Sequence, residues 1–201
     1  VPHEVRIIGG QWKRTRLPVP DLPGLRPTPD RVRETLFNWL GQDLAGWRCL
    51  DAFAGSGALG FEAASRGALE VVMLESDARQ VASLRASQRR LEGQGGRIER
   101  GDALAWMARR AAEPAEPFDL VLLDPPFERP LGEPALQRAV PLLSSHGVIY
   151  VEAPARLPAQ QLQALGLIEH RHLQAGASHA HLLRRAPASP GDGQGIRAAR
   201  A

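Results

Sequence analysis

Leu50-Asp51-Ala52-Phe53-Ala54-Gly55-Ser56-Gly57-Ala58-Leu59-Gly60 begins as an apolar run, turns on glycines and continues at helical spacing. A strand that ends in a glycine-rich turn and opens a helix is the ligand-binding turn of an open α/β sheet. Ligands there sit at the carboxyl ends of the strands, and glycine lets the backbone approach them closely. Gly55, Gly57 and Gly60 also fit the spacing G-x-G-x-x-G, so the turn alone does not choose between cofactors.

On either side of this turn, short apolar runs alternate with longer amphipathic stretches, the pattern of βαβ units and a parallel sheet. Candidate strands at 49–53, 70–74, 97–99, 120–123 and 148–151 alternate with candidate helices at 59–65, 78–91, 104–111, 134–143 and 159–165. Two further strands, around 167–173 and 179–184, leave no room for a helix between them and are expected as an antiparallel pair at the sheet edge. The expected fold class is therefore α/β, a doubly wound, mostly parallel seven-stranded sheet with an antiparallel edge hairpin.

Three acids stand at successive strand ends. Glu75 follows the glycine turn by about twenty residues, where a carboxylate can accept ribose hydroxyls. Asp102 ends the third strand, within reach of an adenine amino group or equally placed to cap the next helix. With Asp51 they form a row of carboxylates that suits a cofactor carrying a sulfonium, an ammonium and ribose hydroxyls and would repel a pyrophosphate. A nicotinamide dinucleotide is disfavoured on that ground.

The fourth strand runs Phe118-Asp119-Leu120-Val121-Leu122-Leu123 into Asp124-Pro125-Pro126-Phe127. The prolines stop the strand and fix the backbone beside the site. An exocyclic amine on a base is a poor nucleophile because its lone pair is delocalised into the ring. Asp124 and the carbonyl of Pro125 or Pro126 could accept its N–H bonds and hold it in line with an electrophilic methyl, while Phe127 offers a face for a displaced base.

Charge is unevenly spread along the chain. Residues 1–33 carry +4, residues 34–183 carry −4 and residues 184–201 carry +3, within a total of +3. A basic arm (1–29) on a mildly acidic body (30–185) points to a polyanionic partner that meets the arm. The arm is rich in Gly, Pro and Arg and is expected to be extended or a short hairpin. From Asp30, the residues Val32, Leu36, Phe37 and Leu40 recur at helical spacing. The segment 186–201 has no periodicity and is expected to be disordered. The single cysteine, Cys49, excludes an internal disulfide and reads as core. No apolar stretch has membrane-spanning length, so a soluble, cytoplasmic protein with no membrane partner is expected. His172, His179 and His181 lack a carboxylate at ligand spacing, and no metal is expected.

Arg6-Ile7-Ile8-Gly9-Gly10-Gln11-Trp12, followed by Gly24-Leu25-Arg26-Pro27-Thr28-Pro29-Asp30-Arg31-Val32-Arg33-Glu34-Thr35-Leu36-Phe37-Asn38-Trp39-Leu40, resembles the bacterial small-subunit ribosomal RNA guanine-N2 methyltransferases. The glycine turn and Asp124-Pro125-Pro126-Phe127 are similar too, although the latter is shared with DNA adenine and other amino methyltransferases. The resemblance covers nearly all of the chain up to residue 185. It implies a Rossmann-like class I S-adenosylmethionine-dependent methyltransferase acting on 16S rRNA within an assembled or assembling small subunit, with a monomer as the default. It further implies that Asp51, Ala54, Gly55, Ser56 and Gly57 shape the methionine end of the cofactor site, Glu75 and Ser76 the ribose, and Asp102 and Ala103 the adenine. The segment with Arg26 and Thr28 would fold over the cofactor, with Asp124 facing both cofactor and target amine. Arg6, Trp12, Lys13, Arg14 and Arg16 would meet RNA, Trp12 as a stacking platform or as an anchor for the arm. The stretch Gly176-Ala177-Ser178-His179-Ala180-His181-Leu182 departs from the family, which usually carries a β-branched residue and a tyrosine there. An amino methyltransferase of DNA adenine or another RNA base, and a non-enzymatic RNA-binding assembly factor, are the competing readings. That no separate target-recognition domain is visible weighs against a sequence-specific DNA enzyme, and the intact Asp-Pro-Pro-Phe motif weighs against the assembly factor.

Overall fold

Alternation of apolar residues along the strands decides how the layers stack. The computed structural model describes residues 3–20, 28–92 and 96–187. After an N-terminal pair, β1 (His3–Arg6) and β2 (Arg16–Val19), come α1 (Asp30–Trp39), β3 (Arg48–Asp51), α2 (Ala58–Ser65), β4 (Glu70–Glu75), α3 (Ala78–Arg90) and β5 (Arg97–Arg100). Then follow α4 (Ala103–Ala112), β6 (Phe118–Leu123), α5 (Gly132–Ala139), a 3-10 turn (Val140–Leu142), β7 (Leu143–Ala153), α6 (Ala159–Ala164), β8 (Leu167–Ala175) and β9 (Ser178–Arg185).

The large sheet has seven strands in the order β5-β4-β3-β6-β7-β9-β8. β3, β4, β5, β6 and β7 pair in parallel, and β9 lies antiparallel to both β7 and β8. Side chains on a strand alternate faces. Cys49, Met73, Leu122, Tyr150 and Leu182 therefore belong to one core with α1, α2 and α3, whereas Leu50, Leu74, Leu123, Val151 and Leu183 belong to the other with α4, α5 and α6. The strand order reverses between β3 and β6, whose carboxyl ends carry Asp51 and Asp124. Such a switch point is where an open α/β sheet leaves a crevice.

The expected doubly wound sheet and its antiparallel edge are both present. The helix expected over 134–143 is shorter: α5 ends at Ala139, and β7 begins at Leu143. Pro141 explains the difference, since it has no N–H for the helical ladder and its ring clashes with the preceding turn. The 176–182 stretch pairs normally despite its unusual composition, with Ala180 opposite both Glu152 and Leu173. No helix among the described residues is long and apolar enough to cross a membrane. The tail from residue 188 and the arm residues 21–27, Arg26 included, lie outside the described residues.

The N-terminal arm is a hairpin with its apolar face turned inward. Val5, Ile7, Leu17 and Val19 are all buried. Its turn sits on the end of α2, where Gln11 N–H donates to the Ser65 carbonyl (2.8 Å) and Trp12 N–H to Ser65 Oγ (3.0 Å). A Cβ at Gly10 would overlap that carbonyl, and Gly10 has φ +72°, so no other residue fits here without displacing the arm.

Between arm and body lies a buried ion cluster. Glu62 on α2 is fully buried and accepts the N–H of Ile8 (2.8 Å) and of Gly9 (2.7 Å). Arg33 from α1 (3.3 Å) and Arg66 (2.9 Å) complete its shell. Arg33 also donates to the Arg6 carbonyl (2.9 Å) and the Thr28 carbonyl (3.1 Å), and Arg66 stacks over Phe37. Removing one member of such a cluster strands the remaining charges in a dry interior. Glu62→Gln is expected to lower the unfolding free energy by roughly 3 to 5 kcal/mol, read from urea titration. A loss below about 1 kcal/mol, the worth of an exposed pair, would show that the cluster does not hold the arm.

Candidate active site

The carboxyl ends of β3, β4, β6 and β7 bring four acids to one rim. Asp51 ends β3 and is almost fully buried. Its Oδ2 accepts the Gly60 N–H at the start of α2 (2.9 Å), and its Oδ1 is buried with no hydrogen-bond partner. The turn that follows is tied to its neighbours by Ala52 N–H to the Leu122 carbonyl (3.0 Å) and Ala54 N–H to the Leu74 carbonyl (2.9 Å). Gly57 takes φ +79°, and a Cβ there would overlap Phe61 and Leu84, so the turn requires glycine. Ser56 and Ala54 are buried within the same turn.

Glu75 faces this turn from the end of β4. Its Oε2 accepts Gly55 N–H (3.0 Å), while Oε1 accepts Asp77 N–H (2.8 Å) and Ser76 Oγ–H (3.3 Å). Oε2 thus keeps a lone pair for a further hydroxyl. Asp102 is exposed, and one of its oxygens caps α4 through Ala105 N–H (2.8 Å), which leaves the other free to accept. Both readings of Asp102 are therefore compatible with its position. Ala103 is buried beside it as the first residue of α4.

Asp124 follows β6 directly and accepts Thr28 Oγ–H (3.3 Å). Thr28 is itself held through its carbonyl by Arg33, so the buried ion cluster reaches the rim. Pro125 is buried, Pro126 is exposed, and Phe127 is a large apolar side chain left substantially in solvent. The Pro126 carbonyl accepts Arg129 N–H (3.1 Å), whereas the Pro125 carbonyl has no backbone donor among the described residues.

One member of the site was not anticipated from the sequence. Glu152, near the end of β7, is buried and accepts Tyr150 Oη–H (2.9 Å) and Ser178 Oγ–H (3.2 Å). The parallel register, Leu123 opposite Val151, sets it beside Asp124 on the same face. The signal was available: Val148-Ile149-Tyr150-Val151-Glu152 is an apolar strand closed by an acid, as the strands ending in Asp51, Glu75 and Asp124 are.

Burial dominates the electrostatics of this rim. It pushes the Asp51 carboxyl up to about 7, against the lowering effect of the Gly60 hydrogen bond and with help from the Glu75 charge. Asp124 is also raised well above the usual carboxylate range, by burial first and then by the charges of Glu152 and Asp51. No Lys or Arg pairs with Asp51, Asp124 or Glu152 among the described residues. A partly buried acid set with an orphaned oxygen and no protein cation is suited to a cationic ligand.

The arm residues divide. Arg6 is paired with Asp30 (2.9 Å) and Arg16 with Glu4 (3.2 Å), both in solvent, where such pairs contribute little and can be exchanged for a stronger anion. Lys13 and Arg14 are exposed and unpaired among the described residues. Trp12 packs half-buried against the core of α1 to α3, which is the anchoring geometry. Cys49 is fully buried and burial pushes its thiol up, so it is inert core. His172 and His179 bond one another (2.9 Å), and His181 bonds Glu169 (2.8 Å). No group among the described residues has metal-ligand geometry.

The family model described as Conserved hypothetical protein 95 matches residues 5–184. Ribosomal RNA small subunit methyltransferase D of Escherichia coli is 44% identical over 156 residues, 75% of each chain. The protein of that name from Haemophilus influenzae is 42% identical, over 77% of this chain and 81% of its own. A solved Escherichia coli structure, assigned provisionally as a methyltransferase, superposes with a TM-score of 0.76 at 38% identity, covering 92% of this chain and 99% of that one.

The raised Asp51 has a consequence for stability. In the absence of a cationic ligand, the folded chain keeps a proton on Asp51 between about pH 4 and 7 that the unfolded chain releases, so this group's contribution falls as pH rises through that window. Asp51→Asn removes the titration. The variant is expected to gain on the ligand-free native protein as pH rises from about 4 to 7, by up to about 4 kcal/mol, with no further change above that. A pH-independent difference in melting temperature would mean that Asp51 is ionised in the free protein.

Proposed function

Because the chain belongs to the Conserved hypothetical protein 95 family, and is thereby a methyltransferase, we propose that it methylates the exocyclic N2 amino group of a guanine in 16S ribosomal RNA, using S-adenosylmethionine. The substrate is the small ribosomal subunit, assembled or assembling. The observation that carries this reading is the partly buried acid rim that has no protein cation of its own. It complements a sulfonium, an ammonium and an amine donor together.

S-adenosylmethionine, when bound, supplies an electrophilic methyl group. Asp51 and the turn residues Ala54, Gly55, Ser56 and Gly57 would hold its methionine end, where the orphaned Asp51 oxygen could offset positive charge. Glu75 and Ser76 would take its ribose and Asp102 and Ala103 its adenine, with Thr28 held beside the site on Asp124. Asp124 ionises when cationic and N–H groups surround it, and Thr28 already favours that form. Ionised Asp124 and the Pro125 carbonyl then accept the two N–H bonds of the target amine, which keeps its lone pair out of the ring and in line for attack. Phe127, already exposed, stacks the displaced base, and Pro126 fixes its approach. Residues 1–29 bring RNA to the body formed by 30–185, with Arg6, Lys13, Arg14 and Arg16 on phosphates and Trp12 holding the arm in place.

Transfer of tritiated methyl to small subunits lacking native methylation, followed by nucleoside analysis, tests the reaction. N2-methylguanosine is the expected product, whereas label only in adenine or DNA would overturn the guanine assignment. Asp124→Ala is expected to bind cofactor within a few-fold of native while turnover falls by roughly two orders of magnitude, the signature of a group that acts in the transition state. Near-native turnover would remove Asp124 from the mechanism.

A further inference from the structure

The basic turn of the arm does not lie beside the acid rim. It rests on Ser65 and Arg66 at the carboxyl end of α2, whose amino end carries Gly57 and the site. α3 runs the same way, from Asp77 beside Glu75 to Arg90, next to the segment that enters β5. A helix of 13 residues spans about 20 Å. The end of α3 is therefore roughly that far from the reacting end of the sheet, and the arm turn, at the end of the 8-residue α2, lies about 12 Å along its helix from the glycine turn.

These two remote ends meet. Gln11, Trp12 and Thr15 of the arm turn line a cleft of about 390 Å³ whose other wall is Arg90, Leu91 and Glu92. Arg90 lines the cleft itself, Lys13 and Arg14 lie in the arm turn between its lining residues Trp12 and Thr15, and Arg85 and Arg89 stand on the same helix, α3. All five are exposed, and none has a carboxylate partner among the described residues. Arg85 and Arg89 are one helical turn apart on the same face. Arginines in the last turn also complement the helix dipole, but that accounts for neither Arg85 nor the cations of the arm turn. Among the described residues, Glu92 is the only acid of the cleft wall. Arg14 adopts φ +73°, a conformation that L side chains avoid, so the turn holds a cation where glycine would be the relaxed choice.

We propose that Lys13, Arg14, Arg85, Arg89 and Arg90 form a second RNA-binding platform, specific for phosphodiester backbone, about 12 to 20 Å from the methylation end of the sheet. Resting on the assignment of RNA as substrate, this makes the enzyme a two-point reader. An RNA must present its target base at the acid rim and a second stretch of backbone at the far end of α3. A folded RNA held in a ribonucleoprotein reaches both points, and a short fragment reaches one.

The test is the pair of surface substitutions Arg89→Gln and Arg90→Gln in the full chain, which touch neither the core nor the rim. Binding to undermethylated small subunits across a salt series should lose slope by roughly 1.4 to 1.8, at 0.7 to 0.9 per phosphate contact. KM for subunits should rise with kcat unchanged, while KM for a stem-loop cut closely around the methylated nucleotide stays native. Unchanged slope and KM on subunits, or an equal rise in KM on the stem-loop, would overturn the platform. If the native chain methylates no RNA yet the substitutions still reduce the salt slope, the platform stands and the reaction assignment fails. If the native chain methylates RNA and the slope is unaffected, the reaction assignment stands and the platform fails.

Discussion

A carboxylate sealed inside a protein must be surrounded by donors, and at Glu62 that requirement organises the whole N-terminal half. Two backbone N–H groups of the arm and two arginines, one from α1 and one from its own helix, converge on it. None of the four can leave without stranding a charge. Arg33 passes the constraint on through the carbonyls of Arg6 and Thr28, and Thr28 bonds Asp124. The hairpin, the first helix and the rim are thereby one mechanical unit, although nearly a hundred residues separate Thr28 from Asp124.

The rim inverts that logic. Asp51 and Glu152 are buried and Asp124 half-buried beside them, with hydrogen-bond donors but without cations among the described residues, and desolvation therefore drives Asp51 and Asp124 towards their protonated forms. Such an arrangement lowers stability near neutral pH, and it is retained at the point where strand order reverses. The contrast between the two buried acid sites is informative: Glu62 is fully compensated by the chain and is structural, whereas the rim is undercompensated and is chemical. The exposed basic residues of the arm turn and of the far end of α3 carry the complementary sign at the other ends of α2 and α3, so the positive surface is separated from the acids of the rim.

The alternation of apolar runs made the order of strands and helices legible, including the closing antiparallel pair, because period-two and helical spacing are local properties. Helix ends were less so: Pro141 cuts α5 short even though the apolar pattern continues to Leu143. Asp51, Glu75, Asp102 and Asp124 could be singled out because each sits at the end of an apolar run. Glu152 has the same local signature, yet its pairing with Asp124 depends on β7 lying next to β6. Glu62 and Arg33 carried no signal at all, since a charged residue on a short helix reads as a solvated face until the arm is folded over it.

The sequence by itself determined the elements, the glycine turn, the acidic strand ends, the basic arm and the family, since each of these is written in neighbouring residues or in fixed spacings. Tertiary structure alone decided which acids share a low-dielectric space, that Thr28 reaches Asp124, and that the basic turn lies at the end of α3 away from the rim. Those facts depend on contacts between residues far apart in the chain, where burial and distance set the energy of a charge and local pattern carries no information about either.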